Sequence, residues 1–243
     1  MEAMKINPHY LSTYYQDLKE YQPMKMELKK TALCIIDYQK AFCDDNMGEA
    51  IELKKKGQWD RWQYFRKRVH QTAVPRTQEL LFWARKHGMT VTFGRIACLS
   101  PDGEDRSLVQ KSEGWNNIFL YRYSEEASMV DELKPLPDEM VFDKTTDSIM
   151  GSTSYAGVLR NMGITTVIVA GVVTDQCVAC SVRDLADAGF QVICVEDACA
   201  AASQEEHDAE LKIMNVIYCR VCTAAETLDL LDKVEAAGGP VTV

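Results

Sequence analysis

The sequence has no apolar run approaching the roughly 20 residues that a bilayer-spanning helix needs, so no membrane association of that kind is expected. Its opening stretch, Met1 to Tyr10, is polar, with no apolar segment and no small-residue cleavage site, so no signal peptide is expected. Basic charge is scarce: 27 Lys and Arg against 36 Asp and Glu leave a net charge of -9. That balance argues against nucleic-acid binding, because phosphate contacts need a basic face. Histidine is scarcer still. His9, His70, His87 and His207 are scattered and form no ligand pair. There is no internal repeat, no low-complexity segment and no linker, so a single domain over residues 1–243 is expected.

What is present is apolar and periodic. Hydrophobic residues make up 47% of the chain, ample for a core. The nine cysteines are an odd number, and Cys34, Cys194 and Cys219 lie inside apolar strand segments. This pattern suggests reduced thiols and a cytoplasmic location rather than a disulfide framework.

Apolar runs alternate with helical patterns, the signature of βαβ units. Strands are expected at 31–36, 89–93, 140–142, 166–170, 191–195 and 218–222. Helices are expected at 69–87, 154–162 (with Thr153 as N-cap), 176–188, 204–215 and 225–236. Gly88, Gly163 and Gly189 close three of them. The strands are apolar on both faces, as in a parallel sheet covered by helices. Residues 1–30 form an N-terminal arm. Residues 43–76 form an aromatic insert that leaves the end of the first strand, and within it 51–76 carries eight basic and two acidic residues.

Three strand ends carry reactive groups. Asp37 ends the first, Lys144 the third, and Cys177 follows the fourth at the mouth of a helix. In a parallel sheet all three share the carboxyl edge, where ligands bind. A helix N-terminus and a nearby ammonium favour the thiolate near neutral pH, and a carboxylate can carry the thiol proton.

These residues lie in blocks that resemble the isochorismatase-like cysteine hydrolases. The first block is Ile35-Ile36-Asp37-Tyr38-Gln39-Lys40-Ala41-Phe42. The second is Phe142-Asp143-Lys144 followed by Ser148-Ile149-Met150-Gly151-Ser152-Thr153. The third is Gly171-Val172-Val173-Thr174-Asp175-Gln176-Cys177-Val178, and the fourth is Val195-Glu196-Asp197-Ala198-Cys199-Ala200, after the fifth strand. The resemblance implies an α/β fold of three layers, with a doubly wound parallel six-stranded sheet of order 3-2-1-4-5-6. It implies a catalytic triad of Asp37, Lys144 and Cys177, and a cis peptide between Val173 and Thr174. It implies an oxyanion hole at the turn Val173–Thr174, from the backbone amides of Thr174 and Cys177, with Gln39 and Phe42 beside the substrate. Family members are usually dimers or tetramers.

Departures from the family pattern narrow the chemistry. Members acting on isochorismate lack the cysteine, so Cys177 implies hydrolysis of a C–N bond. The nicotinamidase branch carries an Asp-x-His metal cluster after the second strand. Here that stretch is Phe93-Gly94-Arg95-Ile96-Ala97-Cys98-Leu99, so no metal and no cofactor are expected. Met150 stands where many members carry an aromatic. The expected activity is a cysteine-dependent amidohydrolase acting on a small linear amide or a ureido or carbamoyl compound through a thioester. A nicotinamidase-like or other family hydrolase is the alternative. A zinc site or redox dithiol built on Cys177–Cys180 and Cys219–Cys222 is a reading from another class, but Cys219 and Cys222 fall on opposite faces of a strand. The insert is either a packed hairpin or a lid that draws in an anionic substrate.

Overall fold

A computed structural model describes residues 4–114 and 116–243. The central sheet has six parallel strands, β1 (Thr31–Ile36), β2 (Thr90–Ile96), β3 (Met140–Lys144), β4 (Thr166–Val172), β5 (Gln191–Ala200) and β6 (Arg220–Cys222). Their order is β3-β2-β1-β4-β5-β6, the expected doubly wound arrangement. Every residue of β1 and β4 is buried, which follows from strands apolar on both faces.

Successive side chains of each strand enter different cores. Leu33, Ile35, Ile168 and Ala170 pack with the helices Val74–Lys86 and Ala224–Ala236. Ala32, Cys34, Val167 and Val169 pack with Tyr155–Asn161, Ala179–Asp187 and Gln204–Met214. Cys222 belongs to the first core and Cys219 to the second, so their side chains diverge.

Several boundaries differ from expectation, each for a local reason. The helix expected over 69–87 begins earlier, at Gln63, and passes through a π-helical turn at Val69–Ala73 before Val74–Lys86. Pro75 has no N–H, and the π turn absorbs the break in the hydrogen-bond ladder. β5 runs five residues beyond Val195, to Ala200, because its pairing with β4 shifts register from Val169–Cys194 to Gly171–Cys199. The block after Val195 is therefore strand. Ser154, not Thr153, occupies the N-cap of Tyr155–Asn161, although the Thr153 hydroxyl still accepts the Tyr155 N–H at 3.1 Å. β4 runs on to Val172, and β6 begins only at Arg220.

Residues 4–30 contain no long helix; Lys25–Met26 pairs antiparallel with Val241–Thr242. In the insert, Phe65 is buried and meets Trp62 edge to face at 5.8 Å. Lys54 lies over the Trp59 ring at 4.4 Å. Arg66 is buried with Asp45 at 3.6 Å, and Arg68 donates to the Cys199 carbonyl at 2.9 Å. Lys54 and Arg68 are thus engaged within the protein, while Arg66 is ion-paired without a hydrogen bond to any of its buried nitrogens.

One glycine sets how closely β1 and β4 approach. Gly171, at φ 154°, stands against Ile36, and a Cβ there would collide with the Ile36 carbonyl and lie 2.7 Å from its Cβ. Gly171→Ala should therefore cost more than about 2 kcal/mol, in the range seen for overpacked or strained backbone sites. Gly157, inside the helix Tyr155–Asn161, has nothing within 4 Å of its built Cβ. Gly157→Ala should instead stabilise by about 0.5–1 kcal/mol. Urea unfolding of both variants tests this pair of opposite signs.

Candidate active site

Asp37 leaves the end of β1 at φ 54°, a left-handed conformation that Asp tolerates better than most side chains. Its Oδ1 accepts the Ile96 N–H at 2.9 Å, which ties the carboxylate to the end of β2. Gln39 braces the same point. Its Oε1 accepts the Ile96 N–H at 2.8 Å, and its Nε2 donates to the carbonyls of Ile96 and Ala127 at 2.8 and 3.0 Å. Gln39 was expected beside the substrate. A fully buried amide needs partners, and these backbone groups hold both ends of this one, so it acts as a strut under the site. Phe42 is half-buried where the two cores meet.

Lys144, the last residue of β3, is fully buried. Its Nζ lies 2.8 Å from Asp37 Oδ2, 3.2 Å from the Thr146 carbonyl and 3.3 Å from Cys177 Sγ. An ammonium has three N–H donors, and here three acceptors meet it. The three strand ends singled out in the sequence are therefore brought to one point.

Cys177 lies in a π-helical turn, Thr174–Val178, that precedes the helix Ala179–Asp187. A regular helix was expected from Gln176. The cis peptide joins Val172, the last residue of β4, to Val173, one residue before the expected bond. The Val173 carbonyl accepts from Gln176 N at 3.2 Å and Val178 N at 3.3 Å, closing the turn. The Thr174 and Cys177 amides lie within this opening turn, where helix donors are short of partners.

The electrostatics differ from expectation in one respect. The thiol is only 5% exposed, and its pKa is pushed well above the ordinary value by burial first and by Asp37 second, with Lys144 opposing. The free protein therefore holds a thiol at neutral pH, because desolvation outweighs the helix terminus and the ammonium. Burial also raises the Asp37 carboxyl, against the pull of Lys144. For Lys144, burial disfavours the charge, but Asp37 and Cys177 together outweigh it and hold the ammonium.

Two further residues at the site carry no sequence signal. His207 is buried, with Nε2 2.7 Å from Arg68 Nη2 and Nδ1 2.8 Å from Thr174 Oγ1. A guanidinium only donates, so Nε2 accepts and Nδ1 carries the proton toward Thr174. Burial, with the Arg68 charge, keeps His207 below the ordinary imidazole pKa, against Glu196. Arg68 of the insert is thereby linked to the candidate oxyanion turn. The second residue is Asp147, whose Oδ1 lies 3.9 Å from Cys177 Sγ. Both links join residues distant in sequence, so no local motif could have shown them.

The end of β2, in the stretch where one branch of the family carries histidines, instead holds Arg95, paired with Asp143 at 2.6 Å. Asp143 also meets Arg122 at 2.8 Å. Among the described residues, no group of three or more His, Cys, Asp or Glu is arranged to hold a metal ion.

The chain matches the family model described as the isochorismatase domain over residues 31–226. It is 26% identical over 212 residues to YwoC, an uncharacterized isochorismatase family protein of Bacillus subtilis, covering 87% of this chain and 98% of that one. It is 27% identical over 160 residues to a maleamate amidohydrolase of Pseudomonas putida, covering 65% and 74% of the two chains. The structure of a cysteine hydrolase from Pseudomonas syringae superposes with a TM-score of 0.72 at 24% identity, covering 86% of this chain and 95% of that one.

The raised thiol predicts how Cys177 alkylates. Its rate with iodoacetamide should climb steadily from neutral pH, with no plateau below about pH 9, the ordinary thiol range. Mass spectrometry of the Cys177 peptide reads this, and a plateau near pH 7 would contradict it. His207→Phe strips a partner from both Thr174 and Arg68. It should lower the unfolding free energy by about 1–3 kcal/mol, the usual cost of orphaning a buried polar group, as read by urea unfolding.

Proposed function

We propose that this chain, which belongs to the isochorismatase family of hydrolases, is a cysteine-dependent amidohydrolase. It cleaves the C–N bond of a small linear amide or a ureido or carbamoyl compound through a thioester, releasing ammonia or an amine. The observation that carries this reading is the Lys144 ammonium, 2.8 Å from Asp37 and 3.3 Å from Cys177. A buried carboxylate, ammonium and thiol in mutual contact are the parts that activated-thiol acyl transfer requires. The likeness to a maleamate amidohydrolase supports amide chemistry.

Asp37 takes the thiol proton as Cys177 Sγ attacks the carbonyl carbon. The carbonyl electron pair moves to oxygen, and the backbone amides of Thr174 and Cys177 receive the oxyanion. When the intermediate collapses the C–N bond breaks, and Asp37 returns the proton to the leaving nitrogen. Asp37 then deprotonates a water that attacks the thioester, which releases the acid and restores the thiol. Lys144 keeps its protons throughout and holds Asp37 and the sulfur in register. A carboxyl raised by burial suits this work, since a base acts best near the working pH.

An ammonia-release screen over small amides and ureides tests the reading. Cys177→Ala and Cys177→Ser should each lose activity by about a thousandfold or more, and the wild-type protein quenched in acid should carry the acyl mass on Cys177. A Cys177→Ser variant with full activity would overturn the reading. Because Asp37 must be ionised, kcat/KM should fall as pH drops through its raised pKa, so the acid limb lies above the ordinary Asp value of 3.8.

A further inference from the structure

The thiol has two carboxylates around it and one cation. Asp37 and Asp147 both act on Cys177, and Lys144 is the ammonium that opposes them. Each of the three Lys144 donors already has an acceptor, in Asp37, Thr146 and Cys177. Among the described residues, no Lys, Arg or His lies within 4.0 Å of the Asp147 carboxylate. The thiol is the one donor it meets there, at 3.9 Å.

Asp147 is held in this position. On one side, Thr145 N donates to Ser152 Oγ at 2.9 Å and Thr146 Oγ1 to the Ser148 carbonyl at 2.8 Å. On the other, Ile149 N donates to Ser181 Oγ at 3.1 Å, fastening the loop to the helix that follows Cys177. This half-buried carboxylate stands 3.9 Å from the sulfur that attacks the substrate. Once Sγ bonds the carbonyl carbon, the group on that carbon is two bonds from the sulfur that Asp147 meets at 3.9 Å.

We propose that Asp147 is a specificity-determining residue that selects amides bearing an ammonium or other cationic nitrogen next to the scissile carbonyl, and that it disfavours amides bearing a carboxylate there. The selection rests on the amidase reading above for its chemistry, but the charge recognition at Cys177 can be read without it. The insert offers no counterweight through Lys54, Arg66 or Arg68, whose charges are engaged elsewhere.

Two measurements test this. In the first, Cys177 of the full chain is alkylated with 2-bromoethylamine, a cation, and with iodoacetate, an anion. Each rate is divided by that reagent's rate on free cysteine, and Cys177→Ala serves as the blank for the other thiols. The ratio of cationic to anionic rate should exceed one and should fall about tenfold in Asp147→Asn, the size expected for one nearby charge at a partly screened site. An unchanged ratio overturns the proposal, and a ratio is insensitive to any inactive fraction. In the second, kcat/KM is measured for glycinamide and malonamate, matched amides of opposite charge. Wild type should prefer glycinamide, and Asp147→Asn should shrink that preference about tenfold. Ammonia release with no charge preference, or one that the substitution leaves unchanged, overturns the proposal and leaves the amidase reading standing. A shifted alkylation ratio with no hydrolysis of any amide upholds the cationic site and rejects the amidase reading.

Discussion

The site depends on one buried ammonium. Lys144 is charged at a fully buried place, so its stability comes from the acceptors placed around it. Removing one member of such a buried pair typically costs about 3–5 kcal/mol, because the other charge is stranded. The three acceptors come from different segments: Asp37 beyond β1, Thr146 in the loop after β3, and Cys177 in the turn after β4. The ion pair is thus also a clamp that holds three strand ends in one geometry.

The sheet supplies the precision the clamp needs. β1 lies between β2 and β4, so the strand carrying Asp37 is paired on both sides. Ile96 at the end of β2 fixes the carboxylate, and Gly171 near the end of β4 lets that strand come close at Ile36. The reactive groups gain order from backbone pairing rather than from loops alone, which is how a rigid scaffold keeps a buried nucleophile aligned. The same burial pushes the Cys177 thiol above its ordinary range, with Asp37 adding to the shift.

The meeting of Asp37, Lys144 and Cys177 was legible in the sequence because it rests on local signs, while the strand order was implied by the family resemblance. An apolar strand ends in a polar residue, and parallel pairing puts those ends on one edge. The raised thiol was not legible, since a helix terminus shows in the sequence while the depth of burial does not. The π turns at Val69–Ala73 and Thr174–Val178 replace regular helix without a distinct composition. The cis bond joins two valines, with no proline to mark it. His207 lies 33 residues from Thr174 and 139 from Arg68, and Asp147 lies 30 from Cys177. Contacts over such separations exist only once the chain has folded.

The line from Arg68 through His207 to Thr174 bears on how freely the insert can be exchanged. Its outer surface is set by exposed side chains such as Arg61 and Lys67. Its inner end is keyed to the turn that holds Cys177 through a fixed imidazole tautomer. A segment transplanted from another protein would have to present a donor at the same height above β5, or the imidazole would lose the group that orients it. The insert is a modular exterior on a non-modular root, so its tip can diverge while the turn beneath keeps its alignment.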